Sequence, residues 1–473
     1  MTFTYKIQPT YVPIHLSLAL CCTLLVSLLL VSGTLFAQPR PNVLLIFTDD
    51  QGTLDMNCYG SQDLDTPHMD ALAASGVRFT QFYAAAPVCS PSRAGLLTGR
   101  TPLRAGLPGN VPIPIRQEGA GLPTEEITLA EMMRAGGYQT AHIGKWHLGH
   151  STEKQPNAQG FDYSFGHLVG CIDNYSHFFY WNGPNRHDLW RNGEEVYYPG
   201  QFFPDLTVQE VNRFMEDHQQ DPFFIYWAIN VPHYPYQGSE AWLEKYQDLP
   251  SPRREYAAFV STMDEKIGTV LAKLDELGLR DNTIIIFQSD HGHSCEERAF
   301  FGGGNAGPFR GAKFSMFEGG IRVPALLSWP EAVAAGQVRD QMAVSMDWMP
   351  TIAELCQIDL PDAQLEGQSL VPLIRDSTVE TPHQVVHWQT GEVDSPNRHW
   401  AVRQGDWKLL GNPTDPTDEG SLSVADSLFL VNLAQDVTES TNLAEQHPER
   451  VRALKKLHHD WVDDIVGEKK AGR

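Results

Sequence analysis

Asp49 and Asp50 are adjacent and follow an apolar run, NVLLIF, at Asn42–Phe47. Neighbouring carboxylates raise each other's pKa unless a cation lies between them. At a strand end both can turn toward one hard cation; a turn or helix-capping role is the alternative. Asp290 follows a second apolar run, NTIIIFQS, with His291 and His293 next to it. Three carboxylates brought together without a cation would be costly, so Asp49, Asp50 and Asp290 are candidate metal ligands. Such a set favours calcium or magnesium, whereas zinc would recruit His291 and His293. Lys145 and His147, in GKWHLG, alternate on an extended segment and point the same way. His233 in VPHYP and Lys313 in GAKFSMFEGG are further candidates. Glycines around Lys313 and Glu318 indicate a loop that approaches something closely. Cys89 opens CSPSRAGLLTGR, with Pro91, two serines and Arg93 at its side.

These residues sit at the ends of buried-type strands. YQTAHI (Tyr138–Ile143) leads to Lys145, PFFIYWAI (Pro222–Ile229) to His233, and VPALLSW (Val323–Trp329) is a further run. Amphipathic helical patterns cover Pro67–Ser75, Leu129–Ala135, Asp205–His218 and Arg254–Leu277. Apolar strands alternating with helices predict an α/β domain on a large, mostly parallel sheet. In such sheets ligands bind beyond the carboxyl ends of the strands. After about Pro361 the pattern changes to short strand-like runs, HQVVHWQTG, WAVRQGDWKLLG and DSLFLVNLAQD, and then a helical stretch at Pro448–Ile465. That predicts a smaller antiparallel sheet with a terminal helix.

The chain has 473 residues, 42% of them hydrophobic, enough for one large and one small core. Its net charge of −23 disfavours nucleic-acid binding and is consistent with solubility. An anionic substrate would need local cations against that background. Lys6 precedes an uncharged stretch from Ile14 to Ala37 with small residues near its end, which predicts an export signal over residues 1–37. The same stretch is long enough to span a bilayer, so a retained anchor is the alternative. The expected organisation is a signal at 1–37, a catalytic α/β domain at 38–361 and an α+β subdomain at 362–473.

The run from Cys89 to Arg100 resembles the signature of the formylglycine-dependent sulfatases, of the alkaline-phosphatase-like superfamily. PNVLLIFTDDQG, GYQTAHIGKWHLG, SDHGH, GAKFSMFEGGIRVP and the C-terminal AVRQGDWKLL resemble the other family segments, in the family's order. The resemblance implies that a maturation enzyme oxidises Cys89 to formylglycine, reading Pro91 and Arg93, and that Arg93 steadies the modified residue. It implies a hydrated aldehyde, one hydroxyl of which attacks sulfur while the other later expels sulfate. It also implies Ca²⁺ ligation by Asp49, Asp50, Asp290 and residue 89, with His291 where many relatives have Asn. Lys145 and Lys313 match sulfate-binding lysines, His147 the residue that aids sulfate release, and His233 the proton donor to the leaving alcohol. Ser92 and Thr98 are expected to cap the turn and first helical turn.

An exported sulfatase is therefore the expected function. A sulfated carbohydrate is the expected substrate, because CIDNYSHFFYWNGPNRH (Cys171–His187) places aromatic, His and Arg side chains near the expected mouth. GPNRHDLWRNGEEVYYPG, from Gly183 to Gly200, reads as a surface insertion there. The alternatives are a phosphate or phosphonate ester hydrolase of the same superfamily and an inactive exported glycan-binding protein. Neither the particular sugar nor the oligomeric state is legible.

Overall fold

The structure is a computed structural model that describes residues 1–10, 40–113, 117, 119–181, 183–396, 398–417, 422 and 426–471. The apolar stretch of the expected signal lies outside the described residues. Met1–Arg40 and Pro41–Arg473 are separate compact units, and the second carries all of the chemistry discussed below. Among the described residues, no helix is long and apolar enough to cross a membrane.

Ten strands form the main sheet. In chain order they are β1 (Asn42–Thr48), β2 (Val77–Phe79), β3 (Gln139–Lys145), β4 (Tyr163–His167), β5 (Trp190–Arg191), β6 (Glu194–Glu195), β7 (Phe223–Ala228), β8 (Thr283–Ser289), β9 (Ala325–Ser328) and β10 (Gln337–Arg339). Their spatial order is β10-β2-β9-β8-β1-β7-β3-β4-β5-β6. The central five, β8-β1-β7-β3-β4, are all parallel. Antiparallel pairs lie toward both edges.

Strand β1 is buried on both faces, with Val43 to Phe47 all at 0% exposure. That explains its unbroken apolar run: in a parallel sheet covered on both sides, polar alternation has no place. Each such side chain contributes about 1.5–3 kcal/mol relative to exposure. Leu45→Ala would leave a cavity costing about 2–5 kcal/mol. Helices α1 (Pro67–Ala74), α4 (Phe203–Asp217) and α5 (Arg253–Glu276) flank the sheet and bury apolar stripes in one core cluster. Helices α2 (Cys89–Thr98) and α3 (Leu129–Ala135) belong to the other. Helix α3 opens with a full capping box between Thr128 and Glu131, which satisfies two backbone donors the helix leaves open.

A four-stranded antiparallel sheet follows, in the order β11 (Val385–Thr390), β12 (His399–Gln404), β13 (Trp407–Gly411) and β14 (Leu428–Asn432). Helix α6 (Pro448–Ala471) lies against it, with Trp400 stacked on His458 at 4.4 Å. The opposite face of this sheet packs toward the catalytic core through Val386, Trp388 and Ala401, which share a cluster with Tyr83, Phe317 and Met346. The Trp388 indole N–H donates to the Ala84 carbonyl at 2.9 Å.

Candidate active site

Four adjacent strands, β8-β1-β7-β3, end at the same edge, and each delivers one part of the site. The register pairs Thr48 with Ser289, Phe47 with Ala228, and Ala228 with Gly144. Asp49 and Asp50 follow β1 and Asp290 and His291 follow β8. Lys145 ends β3, and His233 lies five residues past β7. Strands about 4.8 Å apart bring all of these within reach of one small ligand.

Helix α2 supplies Cys89 at its first position, after Val88 in extended conformation. All ten residues of this helix are buried. Ser92 does not cap it: its hydroxyl donates to the Asp290 carbonyl at 2.5 Å and ties the helix to the end of β8. Thr98 instead bonds back to the Ala94 carbonyl at 2.7 Å. The capping expectation is thus corrected for Ser92, whose hydroxyl serves a carbonyl across the fold, whereas the Thr98 hydroxyl also accepts from the Arg100 amide at 3.3 Å and holds the turn beyond the helix.

The charges interlock. Lys145 Nζ lies 2.8 and 2.6 Å from the two Asp49 oxygens. Arg93 Nη2 bridges Asp290 Oδ2 at 2.9 Å and Asp49 Oδ1 at 3.2 Å. Lys313 Nζ reaches Asp50 Oδ2 at 2.9 Å and Glu296 at 3.3 Å. His291 Nε2 lies 3.3 Å from Cys89 Sγ, 3.4 Å from Asp50 Oδ1 and 3.5 Å from Asp290 Oδ2. Cys89 Sγ is 4.0 Å from Asp49 Oδ1 and forms no disulfide. His233 Nε2 lies 3.4 Å from Lys313 Nζ, and its Nδ1 faces the Tyr234 carbonyl at 2.8 Å.

These neighbours set the protonation states. Burial opposes ionisation of Cys89, but Lys145, Lys313 and His291 outweigh it and hold the thiol near 5. Burial pushes Asp50 up to about 8 despite Lys313. Burial also disfavours the His291 cation, but Asp290 and the Cys89 thiol raise it to about 9. Burial, reinforced by Lys313, holds His233 well below its ordinary value.

The loop carrying Lys313 does approach its neighbours closely. A Cβ on Gly292 would lie 1.9 Å from the Gly319 carbonyl oxygen, so only glycine lets the SDHGH turn and the Lys313 loop meet. His147 is placed differently from the strand argument. Strand β3 ends at Lys145, and His147 adopts a left-handed backbone, φ 55°. It is 6% exposed, feels the charges of Lys145, Arg93 and Asp49, and packs against Gly170. No hydrogen bond joins it to Cys89 among the described residues.

Two ligand-competent groupings emerge among the described residues: Asp49, Cys89, Asp290 and His291, and Asp50, Cys89 and His233. His293 belongs to neither, so the zinc alternative with both histidines has no geometric support. The backbone carbonyl of His293 instead accepts from the Lys313 amide at 2.9 Å. Glu296 and Tyr226 were not legible as site residues. Glu296 holds Lys313, and the Tyr226 hydroxyl sits 3.5 Å from Arg93 Nη1. Both come from segments whose patterns read only as a loop and a buried strand.

An aromatic group lies beside His233. Trp181 stacks on Tyr180 at 4.7 Å and meets Tyr234 edge-on at 5.9 Å, and Tyr234 lies against His233.

Acidic, basic and nucleophilic groups gathered beyond the carboxyl edge of a helix-flanked, mostly parallel sheet define a hydrolase of the alkaline-phosphatase-like fold. The sulfatase family model matches residues 41–358, and that of the N-sulphoglucosamine sulphohydrolase C-terminal region matches 307–463. Homo sapiens arylsulfatase A is 34% identical over 468 residues, covering 91% of this chain and 89% of that protein. Homo sapiens N-acetylgalactosamine-6-sulfatase is 36% identical over 363 residues, covering 72% of this chain and 67% of that one. The crystal structure of Ps i-CgsB superposes with a TM-score of 0.79 at 29% identity, covering 89% of this chain and 92% of that one. That protein has also been solved in complex with k-i-k-neocarrahexaose. The chain belongs to the sulfatase family and is a sulfuric ester hydrolase.

Proposed function

We propose that this sulfatase is an exported enzyme that removes sulfate from a sulfated carbohydrate, using formylglycine at position 89 and one Ca²⁺. The single observation that carries the reading is the setting of Cys89, on the first turn of a wholly buried helix among three carboxylates and three cationic side chains. The carbohydrate assignment is supported by the Ps i-CgsB complex and by the Trp181–Tyr234 aromatic pair beside His233. In this reading residues 1–37 are the signal, 38–361 the catalytic domain and 362–473 the C-terminal subdomain. The partners are a formylglycine-generating enzyme and the sulfated substrate.

The donor set fits a hard cation. Asp50 Oδ1 is buried without a hydrogen-bond partner and lies 3.4 Å from His291 Nε2, an oxygen left available to a hard cation. Asp49, Asp50, Asp290 and the residue 89 side chain would hold the ion, with His291 as a fifth protein ligand. Bound there, the ion would polarise a sulfate oxygen as a Lewis acid. The Cys89 sulfur stands in for the oxygens of the aldehyde hydrate, which would supply the nucleophile.

The remaining work falls to this chain's own side chains. Lys145 and Lys313 flank residue 89 and neutralise sulfate oxygens as charge develops. Arg93, fixed by Asp49 and Asp290, holds position 89 and the carboxylates in register. His233 protonates the leaving alkoxide through Nε2. Burial and Lys313 keep it neutral here, and the negative charge of a sulfate ester would favour its cation. His147, on the Lys145 side, takes part in the later release of sulfate.

Matched sulfate, phosphate and phosphonate esters of the same sugars provide the test. Sulfate release from the sugar sulfates should dominate. Faster turnover of the phosphorus esters would favour the phosphate or phosphonate hydrolase, and binding without turnover the inactive glycan-binding protein.

A further inference from the structure

Beside His147 lies a cavity of about 290 Å³ that the proposed chemistry does not use. Leu168, His150, Arg186, His187, Asp188 and Trp190 line it. It adjoins His147: Val169, also in its wall, precedes Gly170, on which the His147 ring packs. His150 is three residues beyond His147 and close enough that a charge on it would disfavour the His147 cation.

The electrostatics of this cavity are uneven. Asp188 is fully engaged, accepting from the Leu168 and Val169 amides at 3.0 and 2.8 Å and from the Trp190 indole at 2.6 Å. His187 is paired with Glu195 at 2.9 Å. His150 faces the Pro112 carbonyl at 3.3 Å, and burial, reinforced by Arg186, lowers it to about 4, so it is neutral. Arg186 makes no close ion pair, although its charge reaches the Asp188 carboxylate. Its guanidinium lies over Phe179 at 5.8 Å, and Nη2 is buried with no hydrogen-bond partner. No carboxylate lies within 4.0 Å of it among the described residues. Three other partly buried arginines of this acidic chain find acids, Arg100 with Glu126, Arg191 with Glu210, and Arg253 with Asp55 and Asp63, whereas Arg280, away from this cavity, is held by the Ser328 hydroxyl. A half-buried guanidinium left open in a cavity matches a planar or tetrahedral oxyanion, to which it can donate two parallel bonds.

We propose that the Arg186 cavity is a second anion subsite, receiving a further sulfate or carboxylate carried by the same carbohydrate whose sulfate ester is cleaved at position 89. The inference rests on the sulfatase reading and narrows its substrate class to sugars with at least two anionic groups. Trp190 offers an apolar wall for the ring that carries the second group. Arg186 and His187 lie within the segment from Gly183 to Gly200 that the sequence marks as an insertion.

Three disaccharides separate the outcomes: one with a single sulfate, one with a second sulfate, and one with a carboxylate in its place. Kinetics compare the full-length chain with Arg186→Ala and Arg186→Lys. Arg186→Ala should raise KM for at least one dianionic sugar at least tenfold more than for the monosulfated one, with Arg186→Lys intermediate. Which dianionic sugar responds identifies the second group. Equal changes in KM for all three sugars, or a change confined to kcat, would overturn the subsite while leaving the sulfatase reading intact. Titration calorimetry of the same three sugars with Cys89→Ser and Cys89→Ser/Arg186→Ala chains reads the subsite without turnover. A matching selective loss of affinity supports the subsite even if no sugar is hydrolysed, a result that would count against the sulfatase reading alone. Equal affinities in the two chains would overturn the subsite.

Discussion

His233 and His147 are the residues whose roles are easiest to confuse, because both are imidazoles that burial, reinforced by neighbouring lysines, keeps neutral. Their positions differ. His233 Nε2 faces Lys313 and Asp50, next to the aromatic group, whereas His147 lies on the Lys145 side against Gly170. A sugar alkoxide is a poor leaving group and needs a proton, but a phenolate does not. His233→Ala should therefore lose about 10²–10⁴-fold in rate on a sugar sulfate and far less on an aryl sulfate. Steady-state rates on the two ester types check this, and equal losses would remove His233 from the donor role. At this scale the strand-end placement of Asp49, Asp290 and Lys145 was legible in the sequence. The sequence was a poor guide for Ser92, whose hydroxyl serves Asp290 across the fold, because no local pattern reveals a tertiary hydrogen bond.

The Lys313 loop shows how an element is held. Arg310 pairs with Asp415 at 2.6 Å and donates to the Glu439 carbonyl at 2.9 Å, and the Ser315 hydroxyl donates to the Thr414 carbonyl at 2.7 Å. Beneath these, Lys408 of β13 lies fully buried between Glu318 at 2.9 Å and Glu439 at 3.0 Å. The segment after β12 therefore fixes a loop that reaches residue 89 from the other side. Burial opposes the Glu318 charge, but Lys408, Arg322 and Arg403 hold its pKa low, near 2. Burial raises Glu439 to about 7, helped by the neighbouring Glu318 charge and despite Lys408. A carboxyl group raised from 4.5 to about 7 keeps its proton in the folded state across that window and loses it when unfolded. Its contribution to stability is present below pH 4.5 and declines as pH rises through 7. Glu439→Gln mimics the protonated form, so the wild-type melting temperature should fall relative to that variant between pH 5 and 8. Melting curves of both proteins give the slope, and a relative rise would contradict it. The apolar runs and helical periodicities placed β1, β3, β7, β8, α3 and α5 to within a few residues, because burial on both faces leaves a continuous signal. Edge strands such as β5 and β6, two residues each, carry no period to read.

Across the whole molecule the charge balance is the dominant feature. A chain with net charge −23 buries Arg93, Lys145 and Lys313 at one sheet edge and leaves Arg186 open in a cavity beside His147. Both features suit an anionic substrate, and the buried ion pairs at the sheet edge are weak evidence for a stability role once desolvation is counted. The family's order of segments was legible because each is a short contiguous run. The convergence of those runs depends on strand order, which puts β8, β1, β7 and β3 side by side and which no local pattern encodes. The account turns on what Cys89 becomes. Mass analysis of the peptide containing residue 89, from enzyme purified by its sulfate-releasing activity, tests this most directly. The account predicts an aldehyde or its hydrate at position 89, in proportion to activity across preparations. Full activity with an intact thiol at Cys89 would contradict it.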